Sequence, residues 1–260
     1  MALLRTAHAT ERPGAFVARE IAARRPGHGA DPATARRYRL RHYGCEVGLR
    51  HGTLDVPLFF DIMVRRGYQL PTAVLEAERG ATGVRVVDLG ANIGLFAAFL
   101  SSVVPVSRLV AYEPDRASLG LLHENLAGCP RVREWRIVEA CAGVADGEVS
   151  FLEGRFQESR VVPENGGPGS RRLPVVDAFP DLLEADWVKI DIEGSEWDIL
   201  ADPRFPELSA RVIVLEYHAW LCPGPDPRRM AIDALAGAGY RVWEKGEHLP
   251  GYGELWALRR

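Results

Sequence analysis

Cysteine is scarce in this sequence, and the spacing of the four cysteines excludes the common cysteine-based sites. None forms a Cys-x-x-Cys pair, and no histidine is spaced to complete a zinc site. The four are Cys45, Cys129, Cys141 and Cys222. We interpret them as reduced thiols, which predicts a cytoplasmic protein.

The sequence also lacks a strong net charge, a long apolar run and a signal-peptide core. The formal net charge is -3, so a nucleic-acid partner is not expected. No apolar run reaches membrane-spanning length, and Met1–Thr10 has no signal-peptide core, so no membrane partner is expected. The 260 residues are 47% hydrophobic and 26% charged, which indicates one large α/β domain or one domain plus an appendage.

The clearest pattern lies at Val86–Phe96, where an apolar segment, a glycine-rich turn and a helical pattern follow one another. The apolar segment ends at Asp88, and Gly90, Asn92 and Gly94 mark the turn. A strand, a glycine turn and a helix form the first crossover of nucleotide-binding α/β folds. Glycines let the backbone approach a ligand, and the helix N-terminus presents unpaired N–H groups to it.

The turn lacks the third glycine of the dinucleotide-binding G-x-G-x-x-G motif. Its pattern is D-x-G-x-N-x-G, with Asp88 at the strand end. This carboxylate would repel a pyrophosphate and would favour a cationic amino-acid ligand. The turn is therefore similar to the first motif of S-adenosylmethionine-dependent methyltransferases. A purely structural strand–helix turn in another α/β protein is the alternative.

Two further strand ends are expected to contact the nucleoside part of such a ligand. The strand Leu109–Tyr112 is predicted to end at Glu113-Pro114, at about the distance from the glycine turn where these folds place the acid that binds the ribose hydroxyls. A helix N-cap is the alternative role for Glu113. The exit of the third strand, at Ala140 and Cys141, is expected beside the adenine because of its position in the topology.

Two apolar strands are predicted to end in ionisable side chains. Residues 187–196 read W-V-K-I-D-I-E-G-S-E, and residues 212–218 read V-I-V-L-E-Y-H. If the strands are parallel neighbours, Asp191, Glu216 and His218 meet in the crevice where open α/β sheets bind ligands. Acids are rarely buried without a partner, so we interpret the two carboxylates as functional. The alternatives are a helix cap for Asp191 and simple solvent exposure for His218.

The regions outside these motifs are expected to select the substrate. Residues 1–80 are predicted to form an appendage or cap, and residues 81–260 the main domain. Short helices are predicted at Ala15–Arg25 and Pro32–Leu40, followed by a small layer of one strand and one helix that could pack over the carboxyl edge of the main sheet. The polar loop 154–172 is long enough to contact a substrate.

Taken together, these segments resemble the FkbM-type methyltransferases, a class I group that uses S-adenosylmethionine. The resemblance covers roughly residues 43–258, and its most family-specific part is the Lys-Ile-Asp-Ile-Glu-Gly-Ser-Glu stretch. One departure is Val176-Asp177-Ala178, where the family often has Leu-Asp-Asp. The matching motifs are Leu49-Arg50-His51-Gly52-Thr53-Leu54-Asp55 with Tyr68 downstream, Val87-Asp88-Leu89-Gly90-Ala91-Asn92-Ile93-Gly94, Tyr112-Glu113-Pro114, Lys189-Ile190-Asp191-Ile192-Glu193-Gly194-Ser195-Glu196, and Val214-Leu215-Glu216-Tyr217-His218.

The resemblance implies a Rossmann-like α/β fold with a seven-stranded, mostly parallel sheet of order 3-2-1-4-5-7-6, helices on both faces and one antiparallel strand. It implies S-adenosyl-L-methionine as cofactor, S-adenosyl-L-homocysteine as product, and methyl transfer to a hydroxyl of a sugar or other natural product in specialised metabolism. The expected cofactor contacts, from the motifs and the resemblance together, are Tyr68, Asp88, Gly90, Asn92, Gly94, Glu113, Pro114, Ala140, Cys141 and Asp191.

The chemistry of methyl transfer suggests roles for the ionisable strand ends. Because the cofactor supplies the electrophile, the protein must orient the acceptor and remove its proton. His218 is the expected base, and Asp191 is the alternative base or an orienting group, with Glu216 beside them. The three could instead hold a divalent metal, but no spacing enforces this and no metal is expected.

Other functions stay open on the sequence alone. The acceptor is expected to be a small molecule, and a homodimer is considered as the assembly. An N-methyltransferase acting on an amine, and a methyltransferase-like protein that binds the cofactor without catalysis, are the alternatives. A nucleotide-dependent oxidoreductase is disfavoured because of Asp88 and the missing third glycine.

Overall fold

The computed structural model describes most of the chain. Tyr68 and most of the loop 154–172 lie outside the described residues, so no contact of theirs is discussed. The described ranges are 2–25, 35–64, 70–152, 160–162, 170–249 and 251–260.

The N-terminal part combines helices with a small antiparallel hairpin. The predicted helix Pro32–Leu40 is wrong, because the described part of it, Ala35–Arg39, is a strand that pairs with Glu46–Arg50. Tyr38 and Leu40 are buried, and Arg39 between them is exposed, which is the two-residue period of a strand. The elements are α1 (Ala2–His8), α2 (Pro13–Ala23), β1 (Ala35–Arg39), β2 (Glu46–Arg50), α3 (Asp55–Phe59) and α4 (Thr72–Ala77).

Buried apolar side chains of the N-terminal part pack against the main sheet. Helix α3 continues directly into one π-helical segment, Phe60–Val64. Phe59, Ile62 and Met63 form an apolar stripe on these two segments, and all three are buried. They share one hydrophobic cluster with Val86 of the main sheet. The N-terminal part therefore packs on one face of that sheet.

The central sheet has seven strands. They are β3 (Val84–Leu89), β4 (Val106–Tyr112), β5 (Val132–Val138), β10 (Trp187–Ile190), β11 (Val212–His218), β12 (Tyr240–Leu249) and β13 (Tyr252–Arg259). Their spatial order is β5-β4-β3-β10-β11-β13-β12. Counted within this sheet alone, that is 3-2-1-4-5-7-6. All neighbours are parallel except β13, which is antiparallel to both β11 and β12.

A second sheet follows the third strand of the central sheet and differs in detail from the prediction. Ala140 and Cys141 were predicted at the end of the third strand. In the structure that strand, β5, ends at Val138, Ala140 lies in the connection, and Cys141 begins a new strand. The four strands of this sheet are β6 (Cys141–Gly143), β7 (Gly147–Leu152), β8 (Arg160–Val162) and β9 (Ser170–Asp177), in the order β6-β9-β7-β8.

Helices and their cores lie on both faces of the central sheet. Val86 and Val87 are adjacent on β3 but belong to different hydrophobic clusters, because successive side chains of a strand point to opposite faces.

None of the helices in the described ranges combines the length and apolarity needed to cross a bilayer. The remaining helices are α5 (Leu95–Val103), α6 (Arg116–Ala127), α7 (Phe179–Leu182), α8 (Glu196–Ala201) and α9 (Pro227–Gly237), with a 3-10 turn at Phe205–Glu207.

Candidate active site

The glycine turn between β3 and α5 is held in an unusual backbone conformation. Gly90, Asn92 and Gly94 have φ angles of 79°, 49° and 80°. A Cβ atom on Gly90 would lie 1.9 Å from the carbonyl oxygen of Asp191, so only glycine fits there. The turn is therefore in direct backbone contact with the residue that follows β10.

Asp88 differs from the expectation that its carboxylate faces a ligand. The residue is 0% exposed, and Lys189 Nζ lies 3.3 Å from its Oδ1. The same ammonium lies 3.2 Å from Asp191 Oδ2 and donates a 2.7 Å hydrogen bond to Gly90 O. Lys189 thus supplies the positive charge that the sequence argument assigned to a ligand.

Lys189 is one of only two lysines in the chain. Burial alone lowers the pKa of its ammonium, but the nearby carboxylates of Asp191 and Asp88 outweigh burial and raise it. Burial raises the pKa of the Asp88 carboxyl, and Lys189 offsets only part of that effect. The sequence pointed to Lys189 only through its place in an otherwise apolar strand, and our sequence interpretation gave it no role.

Glu113 is positioned by two backbone amides at the end of β4. Its Oε2 accepts a 2.7 Å hydrogen bond from Asn92 N, and its Oε1 accepts a 2.8 Å bond from Asp115 N. The helix N-cap is Asp115, whose side chain accepts from Ala117 N. Each Glu113 oxygen retains a lone pair, so the carboxylate can still accept from two hydroxyls.

Burial raises the pKa of Glu113 to about 7, although the amides of Asp115 and Asn92 lower it. Pro114 lies between this carboxylate and the N-cap, outside α6. Ala140 and Cys141 are buried, and burial together with the charge of Glu113 raises the pKa of the Cys141 thiol to about 12. The thiol is therefore close enough to Glu113 to sense its charge.

Ionisable side chains gather where β10 and β11 end. The two strands are parallel neighbours, as the prediction required. His218 Nε2 lies 3.6 Å from Glu193 Oε2 and 3.7 Å from Glu216 Oε1. Asp191 belongs to the same group, because one of its oxygens lies within 4.8 Å of the facing atoms of Glu193 and His218.

These neighbours shift the protonation of the imidazole and of the nearby carboxyl. Burial lowers the pKa of His218, but the hydrogen bond to Glu196 and the charges of Asp191 and Glu193 raise it to about 9. Burial and the charge of Asp191 raise the pKa of Glu216 to about 8, although His218 opposes them. In the unliganded protein His218 is therefore mostly protonated at pH 7.

The set of possible metal ligands differs from the predicted one. The sequence suggested Asp191, Glu216 and His218, whereas the compact group in the described residues is Asp191, Glu193 and His218. The difference arises because β10 ends at Ile190 and Glu193 adopts a φ of 54°. Local sequence does not specify this conformation, which is uncommon for a residue other than glycine.

Glu196 is buried beside His218, a role that its sequence motif did not predict. Its Oε1 accepts a 2.7 Å hydrogen bond from His218 N and lies 3.2 Å from His218 Nδ1, while its Oε2 accepts from Gly194 N at 2.7 Å. The ring of His218 also lies against Trp220, with 4.5 Å between ring centroids, and stacks at 6.4 Å on Tyr252. The imidazole therefore has one fixed orientation.

The motif 49–55 contains a buried ion pair. Arg50 Nε and Nη2 donate to the Asp55 carboxylate at 2.8 and 2.9 Å. Arg50 Nη1 also donates to Ala117 O, in the first turn of α6, at 2.7 Å. Arg50 thus joins the N-terminal part to the helix that begins beside Glu113.

Several solved methyltransferase structures are similar to the chain at low scores. A magnesium protoporphyrin IX methyltransferase from Synechocystis with bound SAM is 13% identical, with 78% of this chain and 84% of that chain covered and a TM-score of 0.44. Fibrillarin from Aeropyrum pernix, with natively bound S-adenosyl-L-methionine, is 14% identical over 90% and 85%, with a TM-score of 0.43. A precorrin-6y methyltransferase from Geobacter metallireducens is 20% identical over 72% and 87%, with a TM-score of 0.42.

The comparison with protein families is decisive. A search of curated proteins finds no match to this chain. The methyltransferase FkbM domain, in contrast, matches residues 88–242, from Asp88 before the glycine turn to the first residues of β12. The match covers more than half of the 260 residues and includes Glu113, Lys189 and His218. The chain therefore belongs to the FkbM methyltransferase family.

Proposed function

We propose that this methyltransferase uses S-adenosyl-L-methionine to methylate a hydroxyl group of a small natural product or sugar. The observation that carries the proposal is the backbone contact between the glycine turn and Asp191, which places the cofactor-type turn beside the ionisable group at the ends of β10 and β11. A donor held at the turn and an acceptor held at that group would be neighbours. A cytoplasmic location and a small-molecule partner belong to the same proposal.

The residues at the turn suit the proposed cofactor. Glu113 keeps acceptor capacity for two ribose hydroxyls. Ala140 and Cys141 are proposed to lie beside the adenine. S-adenosylmethionine, when bound, supplies the electrophilic methyl group. Asp88 contributes indirectly, by holding Lys189 against Gly90 O and Asp191.

The ionisable group is proposed to orient the acceptor and to take its proton. Glu216, whose Oε1 lies 3.7 Å from His218 Nε2, has a pKa of about 8. Its ionised form is therefore a stronger base than an ordinary carboxylate, but it is the minor form at pH 7. His218 can accept the proton only in its neutral form, which is a minor form in the unliganded protein. Asp191 is proposed to orient the acceptor. Residues 1–80 and the loop 154–172 are proposed to select it.

The proposed function can be tested with an isotopically labelled donor. Purified protein, S-adenosylmethionine carrying a carbon-13 methyl group and fractionated small molecules from the source cells are incubated together. We expect label in a small molecule, with the carbon chemical shift of a methyl on oxygen. Label on nitrogen would contradict the proposed acceptor class. An absence of transfer to every fraction, together with cofactor binding, would favour the non-catalytic alternative.

Cofactor affinity is expected to depend on pH through Glu113. Ribose hydroxyls donate better to a carboxylate than to a carboxylic acid, and the pKa of Glu113 is about 7. Protons must therefore leave when the cofactor binds below pH 7, so affinity should fall as the pH is lowered. From pH 8 to pH 6 we expect a loss of about tenfold, because affinity falls tenfold per pH unit below the pKa of about 7 and changes little above it. Calorimetry in buffers of different ionisation enthalpy measures both the affinity and the proton release.

Glu113→Gln supplies the matched control for this pH dependence. Glutamine keeps the size of the side chain but does not titrate between pH 6 and pH 8. We expect weaker cofactor binding and a nearly flat profile over that range. A wild-type affinity that is constant from pH 6 to pH 8 would contradict the assignment of Glu113 to the ribose.

Removal of the imidazole is expected to slow turnover without weakening cofactor binding. For His218→Ala we expect kcat to fall by about 10²- to 10⁴-fold, the usual contribution of a positioned acid–base group. The dissociation constant for S-adenosyl-L-homocysteine should change by less than about threefold, because Glu113 rather than His218 faces the ribose. His123→Ala is the control, since His123 is exposed on α6. Equal turnover in the two variants would exclude a role for His218.

A further inference from the structure

Three ligand-type side chains form a compact group at the ends of β10 and β11. Among the described residues, one donor atom from each of Asp191, Glu193 and His218 lies within 4.8 Å of the other two. Donors that share a cation at about 2.1 Å are about 3.0 Å apart in cis positions and about 4.2 Å apart in trans positions. The 3.6 Å from His218 Nε2 to Glu193 Oε2 lies inside that interval and beyond hydrogen-bonding range.

The buried carboxylate of Glu196 prepares His218 as a ligand. Glu196 is 0% exposed, and its Oε1 lies 3.2 Å from His218 Nδ1. A metal-bound histidine usually donates its other ring N–H to a carboxylate or carbonyl, which fixes the tautomer and the ring orientation. With the proton on Nδ1 facing Glu196, the lone pair of Nε2 points toward Glu193. Glu196 is therefore a positioning residue.

The backbone and the aromatic walls hold Glu193 and His218 together. Trp220 Nε1 donates a 2.7 Å hydrogen bond to Glu193 O, and the same indole lies against the His218 ring. A Cβ atom on Gly194 would lie 2.5 Å from Trp220 Cδ1, so the turn after Glu193 packs tightly on this indole. The positive φ of Glu193 is an unfavourable conformation that the surrounding contacts maintain.

Carboxyl groups outnumber the cationic side chains around this group. They are those of Asp88, Asp191, Glu193, Glu196 and Glu216. Lys189 is the ammonium that contacts two of them, Asp88 and Asp191. Closely spaced carboxylates repel each other, and burial strengthens the repulsion because less water screens it. A divalent cation at Asp191, Glu193 and His218 would neutralise two more of the negative charges on these carboxylates.

We propose that Asp191, Glu193 and His218 bind one divalent transition-metal ion, with Glu216 as an additional carboxylate beside it. One imidazole and two carboxylates suit Mn²⁺, Fe²⁺ or Zn²⁺ better than Ca²⁺, which prefers oxygen ligands alone. Three protein ligands leave coordination positions open for an oxygen of the acceptor. This last role rests on the proposed function, whereas metal binding itself does not.

Metal binding by the full-length protein tests the proposal directly. The protein is freed of metal with a chelator, the chelator is removed, and MnCl₂ is titrated while free Mn²⁺ is followed by electron paramagnetic resonance. We expect one Mn²⁺ per chain. Pulsed resonance on the loaded wild-type protein should show coupling to one imidazole nitrogen, a result that does not depend on any variant folding correctly.

Three variants locate the site. His218→Ala and Glu193→Gln should each weaken Mn²⁺ binding by at least tenfold, and His218→Ala should abolish the nitrogen coupling in any Mn²⁺ that remains bound. Glu196→Gln should weaken binding by about 10- to 100-fold, as loss of an outer carboxylate does. Glu134→Gln, at an exposed position of β5, should bind Mn²⁺ as the wild type does. Circular dichroism confirms that each variant is folded.

The proposal is overturned if the wild-type protein binds no Mn²⁺, or if bound Mn²⁺ shows no imidazole coupling. It is also overturned if folded His218→Ala and Glu193→Gln bind Mn²⁺ with wild-type affinity. These outcomes are independent of methyl transfer and of cofactor binding, which are measured separately. A failure of the proposed function would instead appear as missing methyl transfer both with and without added Mn²⁺.

Discussion

Gly90→Ala is expected to lower the free energy of unfolding by about 3 kcal/mol or more and to abolish cofactor binding. The left-handed conformation, with φ at 79°, costs a residue with a Cβ about 1–2 kcal/mol. Forcing an extra carbon into a packed place costs about 1–3 kcal/mol in addition. Here the obstacle is the carbonyl oxygen of Asp191, 1.9 Å from the new atom, so backbone rather than a side chain must move.

The movement would separate the glycine turn from the end of β10. That separation would also displace Gly90 O from Lys189 Nζ, which lies 2.7 Å away. Urea unfolding measures the stability, and calorimetry with S-adenosyl-L-homocysteine measures the binding. Gly120→Ala is the matched control: a Cβ there has no neighbour within 4 Å, and α6 should gain about 0.5–1 kcal/mol. Similar results for the two variants would show that the contact with Asp191 is unimportant.

Asp55→Ala should destabilise the protein by about 3–5 kcal/mol, the usual cost of removing one partner of a buried ion pair. The side chains of Arg50 and Asp55 are only 1% and 2% exposed. Without the carboxylate, the guanidinium loses two hydrogen bonds and its counter-charge, while the bond to Ala117 O holds it in place. Because Ala117 lies in the first turn of α6, cofactor affinity should fall as well.

An exposed ion pair provides the comparison. Arg229 Nε and Asp233 Oδ2 are 2.8 Å apart, yet the two side chains are 70% and 56% exposed. Pairs of this kind contribute only about 0.3–0.5 kcal/mol, so Asp233→Ala should change stability little. Denaturant unfolding of both variants gives the two free energies. Losses of equal size would mean that burial does not decide the strength of the Arg50–Asp55 pair.

The strands β3, β4, β10 and β11 could be predicted from local patterns, because each is largely apolar and ends at a glycine turn or in ionisable side chains, whereas the order of the sheet followed from the family resemblance. The apolar segment predicted to end at Asp88, for example, is β3, which ends at Leu89. The segment Ala35–Arg39 was misassigned because only its pairing with Glu46–Arg50 makes it a strand. Such pairing depends on distant residues, and local propensity does not contain it.

The candidate site shows the same division. Its position at the ends of parallel strands followed from topology, so Asp191, Glu216 and His218 were expected there. The roles of Lys189 and Glu196 depend on contacts across the sheet, with Asp88 in one case and His218 in the other. The sequence did not show that Lys189 faces Asp88, and Asp88 was therefore predicted to face a ligand.

The burial of Lys189 has a practical consequence for chemical labelling. Amine-directed reagents need an accessible, neutral amine, and the Lys189 side chain is 4% exposed and held in its charged form by two carboxylates. Of the two lysines in the chain, Lys189 is therefore the one that such a reagent should leave unmodified. A dye or a surface tether attached through amine chemistry would then leave Asp88, Lys189 and Asp191 chemically intact.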